Sequence, residues 1–435
     1  MKNPPGFLLA ATQSHSGKTV VALALMARLC QEGYQIAPFK AGPDFIDPLW
    51  HSALCQKPSY SLDTQMMGRE ECRRLLQQHA PVGTLAIVEG AMGLYDGRQG
   101  VGGPGSSADL ARTLNLPVIL VINAKGMAGS LAALVSGFQH FAEDFTIVGI
   151  IANRVGSPSH ARLLADTLQS CQLPPLLGWL SHSPELQLAE RHLGLYLPHD
   201  HPLPPLPILQ QAIQLQEESF RSLLPEPPGP AVATVSTPRS NSKRLLAGKR
   251  IAIARDAAFC FLYPANLDWL QEQGATLHFF SPLAGEAVPT SCQALWLPGG
   301  YPELHAASLA QSPTWLSLHQ AAAQGLPILA ECGGMMAIGQ TLQDLEGKSW
   351  PMANLLPIHT RMTSKLAGLG YRQEISGAQG HEFHYSSRDP SALPAAFQVS
   401  RGDPGIRLGN IRASYIHWYF PSAPNSIASW LQGQS

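Results

Sequence analysis

This chain of 435 residues is short of charge, of long apolar runs and of paired cysteines, and each shortage excludes something. Lys plus Arg number 29 against 30 Asp plus Glu, a formal net charge of -1, and charged residues are only 14% of the total. So balanced a chain gives no electrostatic case for nucleic acid or an acidic membrane surface, and neither is expected as a partner. The seven cysteines are scattered and odd in number, with no Cys-x-x-Cys pair, so neither a disulfide framework nor a thiolate zinc site is indicated. A reducing cytoplasm is the expected compartment. The start Met1-Lys-Asn-Pro-Pro-Gly lacks the apolar stretch of a secretory signal, and Pro117-Val-Ile-Leu-Val-Ile122 is far too short to span a bilayer.

The length exceeds one ordinary core, so at least two domains are expected. In the first half, Phe7 to Ala11, Ile36 to Phe39, Leu85 to Val88, Val118 to Ile122 and Ile147 to Ala152 read as strands separated by helices. Their hydrophobicity is continuous rather than alternating, which predicts parallel strands buried on both faces and a doubly wound α/β domain over residues 1–222. Residues 223–248 turn to Pro-Glu-Pro-Pro-Gly-Pro and then Ser, Thr, Asn and Lys, the composition of a linker. From 249 to 435 the pattern resumes with Arg250 to Ala254, Leu277 to Phe280, Ala294 to Leu297 and Pro327 to Ala330, predicting a second α/β domain.

Phe7 to Thr19 runs from strand through tight loop to helix and ends in Gly17-Lys18-Thr19. In a phosphate loop the backbone N–H groups and the helix N-terminus cradle phosphate, the lysine adds positive charge and the hydroxyl ligates magnesium. The match to the strict motif is imperfect. Thr12 stands where its first glycine would be, and His15 where another glycine is common. Two carboxylate clusters follow later strands, Lys40-Ala-Gly-Pro-Asp44-Phe-Ile-Asp47 and Glu89-Gly-Ala-Met-Gly-Leu-Tyr-Asp96. A carboxylate closing an apolar strand is where nucleotide-bound magnesium finds a protein ligand, so Glu89 is the first candidate, with Asp44 beside it. Lys40 would neutralise a transferring phosphoryl group, and Asp47 and Asp96 would orient the acceptor, although Asp is also an ordinary turn former. Asn153, closing the Ile147 to Ala152 strand, could read a base edge or serve as a cap.

The second domain holds Pro327-Ile-Leu-Ala-Glu-Cys332-Gly333-Gly334, an apolar strand ending in a cysteine and two glycines. A sharp strand-to-helix turn would present Cys332 as a nucleophile, with the Gly333 N–H free to stabilise an oxyanion. Gly299 and Gly300, also after a strand, would supply the other half of that hole. A thiol needs a base at neutral pH, and His417 in the strand-like run Arg412 to Phe420 is the candidate. Gly380-His381-Glu382-Phe383-His384 invites a zinc reading, but its histidines are three apart in a stretch without helical periodicity. A polar substrate or interdomain contact is expected there instead. The remaining cysteines, Cys30, Cys55, Cys72, Cys171, Cys260 and Cys292, are expected to be packing residues.

Taken together, Lys18, Lys40 to Asp44, Val88 to Gly97, Glu190 to Leu195, Arg255 to Phe261, Pro298 to Leu304, Ala330 to Gly334 and Gly380 to Tyr385 resemble, in collinear order, the cobyrinate a,c-diamide synthase family of the cobalamin pathway. The resemblance implies an N-terminal P-loop NTPase-like parallel sheet similar to dethiobiotin synthetase and a C-terminal class I glutamine amidotransferase-like α/β domain. It implies ATP and Mg2+ as cofactors, cobyrinate or a related tetrapyrrole and L-glutamine as partners, and roles on glutamine for Cys332 and His417. Many class I amidotransferases carry a glutamate two residues after the histidine, whereas this chain has Tyr419, as the cobyrinate branch does.

The expected chemistry couples two half-reactions. A thiol releases ammonia from glutamine, and ATP converts a substrate carboxylate to an acyl phosphate, because hydroxide is a poor leaving group and phosphate a good one. An enclosed passage between the domains would carry the ammonia. The same motifs fit amidation of hydrogenobyrinate, of a nickel sirohydrochlorin or of cobyric acid precursors. A partition-type switch ATPase with a degenerate second domain is the non-enzymatic alternative. Oligomeric state is not readable from these motifs, although such folds often form homodimers.

Overall fold

The computed structural model describes residues 4–97, 103–142, 144–188, 190–191, 194–195, 197–225 and 244–434, and the chain forms two compact units, residues 1–236 and 237–435. Most of the expected linker, and part of the Glu190 to Leu195 motif, lies outside the described residues.

The first unit is built on β1 (Gly6–Ala11), β2 (Gln35–Ala41), β3 (Tyr60–Leu62), β4 (Thr84–Glu89), β5 (Val118–Asn123), β6 (Ile147–Val155), β7 (Leu176–Ser181) and β8 (Ile213–Leu215). They form one sheet in the order β8-β7-β6-β5-β1-β4-β2-β3, parallel except for the pairing of β8 with β7. The apolar runs are continuous because helices cover the sheet. Helix α1 (Lys18–Gln31) buries Val21, Leu25 and Met26 in one cluster with Ile36, Ile87, Ile119 and Val121. Each such side chain contributes roughly 1.5–3 kcal/mol by leaving water. Helix α2 (Ile46–Cys55) packs on α1 through Trp50 and Leu23. The loops after β1, β2 and β4 therefore emerge side by side at the carboxyl edge of adjacent strands, where open α/β sheets bind ligands.

The second unit contains β9 (Arg250–Ala254), β10 (Thr276–Phe280), β11 (Ala294–Leu297), β12 (Ile328–Glu331), β13 (Gly368–Gln373), β14 (Gln379–His384), β15 (Ile406–Leu408), β16 (Ile411–Ser414) and β17 (His417–Tyr419). One sheet has the order β10-β9-β11-β12-β16-β15, and β13-β14-β17 form a separate antiparallel sheet. The run Arg412 to Phe420, expected as one strand, is thus two strands in two sheets. Ser414 ends the first: its Oγ accepts the Ile416 N–H at 3.1 Å, an Asx-like turn that diverts the backbone before His417.

Candidate functional site

The phosphate loop turns on two left-handed residues, His15 at φ 61° and Gly17 at φ 83°. The first explains why glycine is common at that position. At Gly17 a side chain is also sterically barred, since a Cβ would lie 2.1 Å from Asn153 Nδ2. Asn153 is buried, donates to the Ser16 carbonyl at 3.0 Å and accepts from the Arg154 amide at 2.9 Å. Its amide braces the loop, the structural one of the two roles its position allows.

At the mouth of the sheet a cavity of about 300 Å³ is lined by His15, Lys18, Thr19, Lys40, Asp47 and Glu89 among others. Thr19 Oγ1 donates to Glu89 Oε1 at 2.8 Å and lies 3.4 Å from Asp47 Oδ1. Lys40 Nζ pairs with Asp47 and, at 3.2 Å, with Glu89, while Asp44 stands 3.8 Å away. Lys18 donates to the Met92 carbonyl at 2.7 Å. Buried Glu89 would be driven towards its acid form by loss of water, but Lys40 foremost, then His51 and Lys18, hold its carboxyl well below the usual range. Lys40 is buried too, and its neighbouring carboxylates keep it charged. Asp47 is pushed well up, by burial first and then by the charge of Glu89.

Asp47, placed with the substrate on sequence grounds, stands with Thr19 and Glu89, while Asp44 lines the same cavity and accepts the Ile46 amide at 2.8 Å. The reason is α2, which begins at Ile46 and carries Asp47 in its first turn. Asp96 accepts the Gly93 amide at 2.9 Å and shapes the loop after β4. A hydroxyl and two carboxylates form an all-oxygen donor set, which suits a hard cation such as Mg2+.

His51 was missed by sequence reasoning. It is fully buried, with Nε2 2.7 Å from Glu89 Oε2 and Nδ1 3.1 Å from Ser59 Oγ. The available signal was helical spacing, since His51 lies four residues after Asp47 on α2 and so shares its face.

In the second unit Cys332 occupies a strained elbow at φ 45°, ψ -107°, between β12 and the short helix α3 (Gly333–Ala337). Its amide donates to the Ser414 carbonyl at 2.7 Å, tying the elbow to the segment that leads into His417. Gly299 lies against the His417 ring, where a Cβ would sit 2.2 Å from Cε1. A Cβ on Gly333 would sit 3.0 Å from the Gly300 nitrogen. Elbow, glycine pair and histidine therefore converge. Burial, and then the carboxylates of Glu303 and Glu331, push the Cys332 thiol far up, against the Gly333 N–H. Burial, and then His381 and His384, push His417 well down. Both shifts favour the uncharged forms, the thiol and the neutral imidazole.

Glu331 was also missed. It is buried, its Oε1 accepts the Trp418 amide at 3.0 Å and its Oε2 accepts Trp296 Nε1 at 3.1 Å. An acid closing a wholly buried apolar strand was the signal. The Gly380 to His384 motif lies in strand β14, and its buried His381 and Glu382 pack within this unit. His381 faces His417, and Glu382 pairs with Arg372 at 2.8 Å and accepts the Asp403 amide at 2.7 Å. All seven cysteines are free, and Cys30 and Cys171 are exposed, so they are not the packing residues expected. Among the described residues no helix is long and apolar enough to cross a membrane.

Residues 7–195 match the CobQ/CobB/MinD/ParA nucleotide binding domain, and residues 250–425 the CobB/CobQ-like glutamine amidotransferase domain. The chain is 40% identical over 430 residues to cobyrinate a,c-diamide synthase of Herminiimonas arsenicoxydans, covering 97% of this chain and 95% of that protein. It is 40% identical over 443 residues to hydrogenobyrinate a,c-diamide synthase of Pseudomonas aeruginosa, covering 98% and 97%. A cobyrinate a,c-diamide synthase of Priestia megaterium is 37% identical over 453 residues, covering 98% and 96%. Likeness at this level through both units means that the chain belongs to the a,c-diamide synthase family of cobalamin biosynthesis, whose reaction is ATP-driven amidation with nitrogen from glutamine.

Proposed function

We propose that this enzyme amidates the a and c carboxylates of cobyrinate, using ammonia from glutamine and an acyl phosphate made with ATP. In the second unit Cys332 gives its proton to His417 as the sulfur attacks the side-chain amide carbon of glutamine. The developing oxyanion is met by the N–H groups of Gly333 and Gly300. His417 returns the proton to the departing nitrogen, the C–N bond breaks, and water hydrolyses the thioester to glutamate. Burial disfavours an ion pair of thiolate and imidazolium, so the proton moves as the new C–S bond forms.

In the first unit Gly17 and the N-terminus of α1 bind phosphate oxygens, and Lys18 and Lys40 neutralise the group in transfer. Thr19, Asp47 and Glu89 would hold Mg2+, which supplies further neutralisation of phosphate charge. Ammonia then displaces phosphate to give the amide. Seven free thiols suit a reducing cytoplasm.

The observation that carries this reading is the presence, in one chain, of a cavity at the phosphate-type loop that gathers Lys18, Lys40 and the carboxylates of Asp47 and Glu89, and a strained cysteine elbow. Relatives named for cobyrinate and for hydrogenobyrinate match equally well, at 40% identity, so the metal-free corrin is the second substrate to try. A competition assay with cobyrinate, hydrogenobyrinate and sirohydrochlorin, read by mass shift per added amide, tests the proposal. Two amides on cobyrinate are expected, and amidation of sirohydrochlorin alone would overturn it.

A further inference from the structure

His381 lies directly across from His417 in the antiparallel pairing of β14 with β17. The two imidazoles are stacked, with centroids 5.1 Å apart and planes at 22°. On its far side His381 Nδ1 is 3.0 Å from the Tyr263 hydroxyl. Tyr263 also meets Tyr419 edge-on at 6.3 Å and 80°, and Tyr419 is the residue that stands where many class I amidotransferases place an orienting glutamate. Tyr419 is wholly buried among aromatic rings and has no charge to offer. Both oxygens of Glu331 accept N–H groups of tryptophans, and Glu382 is held by Arg372 and the Asp403 amide.

We propose that His381, held by Tyr263, is a positioning residue for His417, its stacked imidazole restraining the ring of the base. This rests on the assignment of His417 as the base for Cys332. The ring of His417 must keep one orientation while it accepts the thiol proton and passes it to the leaving nitrogen. Gly299 bounds one edge of it, Phe261 approaches at 6.2 Å, and His381 covers a face. A stacked ring restrains rotation of its neighbour. Burial keeps His381 itself neutral, its pKa pushed down to about 3, so it adds no standing charge beside the base. The hydrogen bond between the Tyr263 hydroxyl and His381 Nδ1 fixes the orientation of the His381 ring.

The test compares His381→Phe, Tyr263→Phe and His417→Ala in the full-length enzyme. Glutaminase kcat and KM are measured, with ammonium-driven ATP turnover as the reference for intact folding, and Cys332 alkylation by iodoacetamide is timed. For His381→Phe, kcat falls roughly 10–100-fold with KM changed less than about threefold, as for loss of a group that orients a reacting residue. Tyr263→Phe, which removes only a hydroxyl, shifts kcat in the same direction by about threefold to tenfold. In the His417→Ala background, adding His381→Phe leaves alkylation unchanged, since a positioning residue has nothing left to position. An equal fall in alkylation with and without His417, a change in KM alone, or wild-type kcat in both single variants would overturn the proposal. Glutaminase retained by His417→Ala would instead remove the base assignment on which it rests.

Discussion

Glu331, one residue before the elbow cysteine, accepts a hydrogen bond at 3.0 Å from the amide of Trp418, one residue after His417. This crosspiece joins strand β12 to strand β17, which belong to different sheets, and it does so beside both reacting residues. The same carboxyl is pushed up to about 8 from an ordinary 4.5 by burial, against the two N–H donors.

The sign of its pH effect follows. The folded chain holds this proton more tightly than the unfolded chain, so the contribution is complete below pH 4.5 and is lost as pH rises to about 8. The slope is at most about 1.4 kcal/mol per pH unit, and it vanishes above the folded value. Relative to Glu331→Gln, which cannot titrate, the wild-type chain should lose Tm steadily across that window. Parallel curves of Tm against pH for the two proteins would show that Glu331 titrates normally.

Gly299→Ala brings a methyl group to within 2.2 Å of the His417 ring carbon, and a ring bounded by Phe261 and His381 has little room to retreat. A displacement of about 1 Å in a reacting group costs on the order of 100-fold in rate. Glutaminase activity should fall by about that factor while ammonium-driven amidation continues. Steady-state assays with each nitrogen source check both halves.

Cys332→Ala removes the nucleophile and leaves the first unit untouched. Glutamine-driven amidation should drop by roughly 1000-fold or more, and ammonium salts should restore it. Equal loss with ammonia and with glutamine would mean that the two half-reactions do not have separate sites.

Lys40→Met takes away the buried ammonium that pairs with Asp47 and Glu89. Stranding buried carboxylates in this way costs about 3–5 kcal/mol, so the urea midpoint should fall. ATP turnover should be lost with either nitrogen source, in contrast to Cys332→Ala, as ADP release will show.

The central strands of the two parallel sheets, the phosphate loop and the cysteine elbow could be read from the sequence alone, because each is encoded within a short segment, whereas the short edge strands β3, β8 and β15 could not. Continuous apolar runs declare strands buried on both faces, and a glycine pair after an apolar strand declares a sharp turn. Residue type alone could not rank Asp44 against Asp47, or show that His51, Glu331 and His381 stand beside the reacting groups. Those facts depend on strand register and helix phase, which bring together residues far apart in the chain. A shift of one residue in the pairing of β14 with β17 would carry His381 to the opposite face from His417, and only the packing of whole sheets selects the register that stacks them.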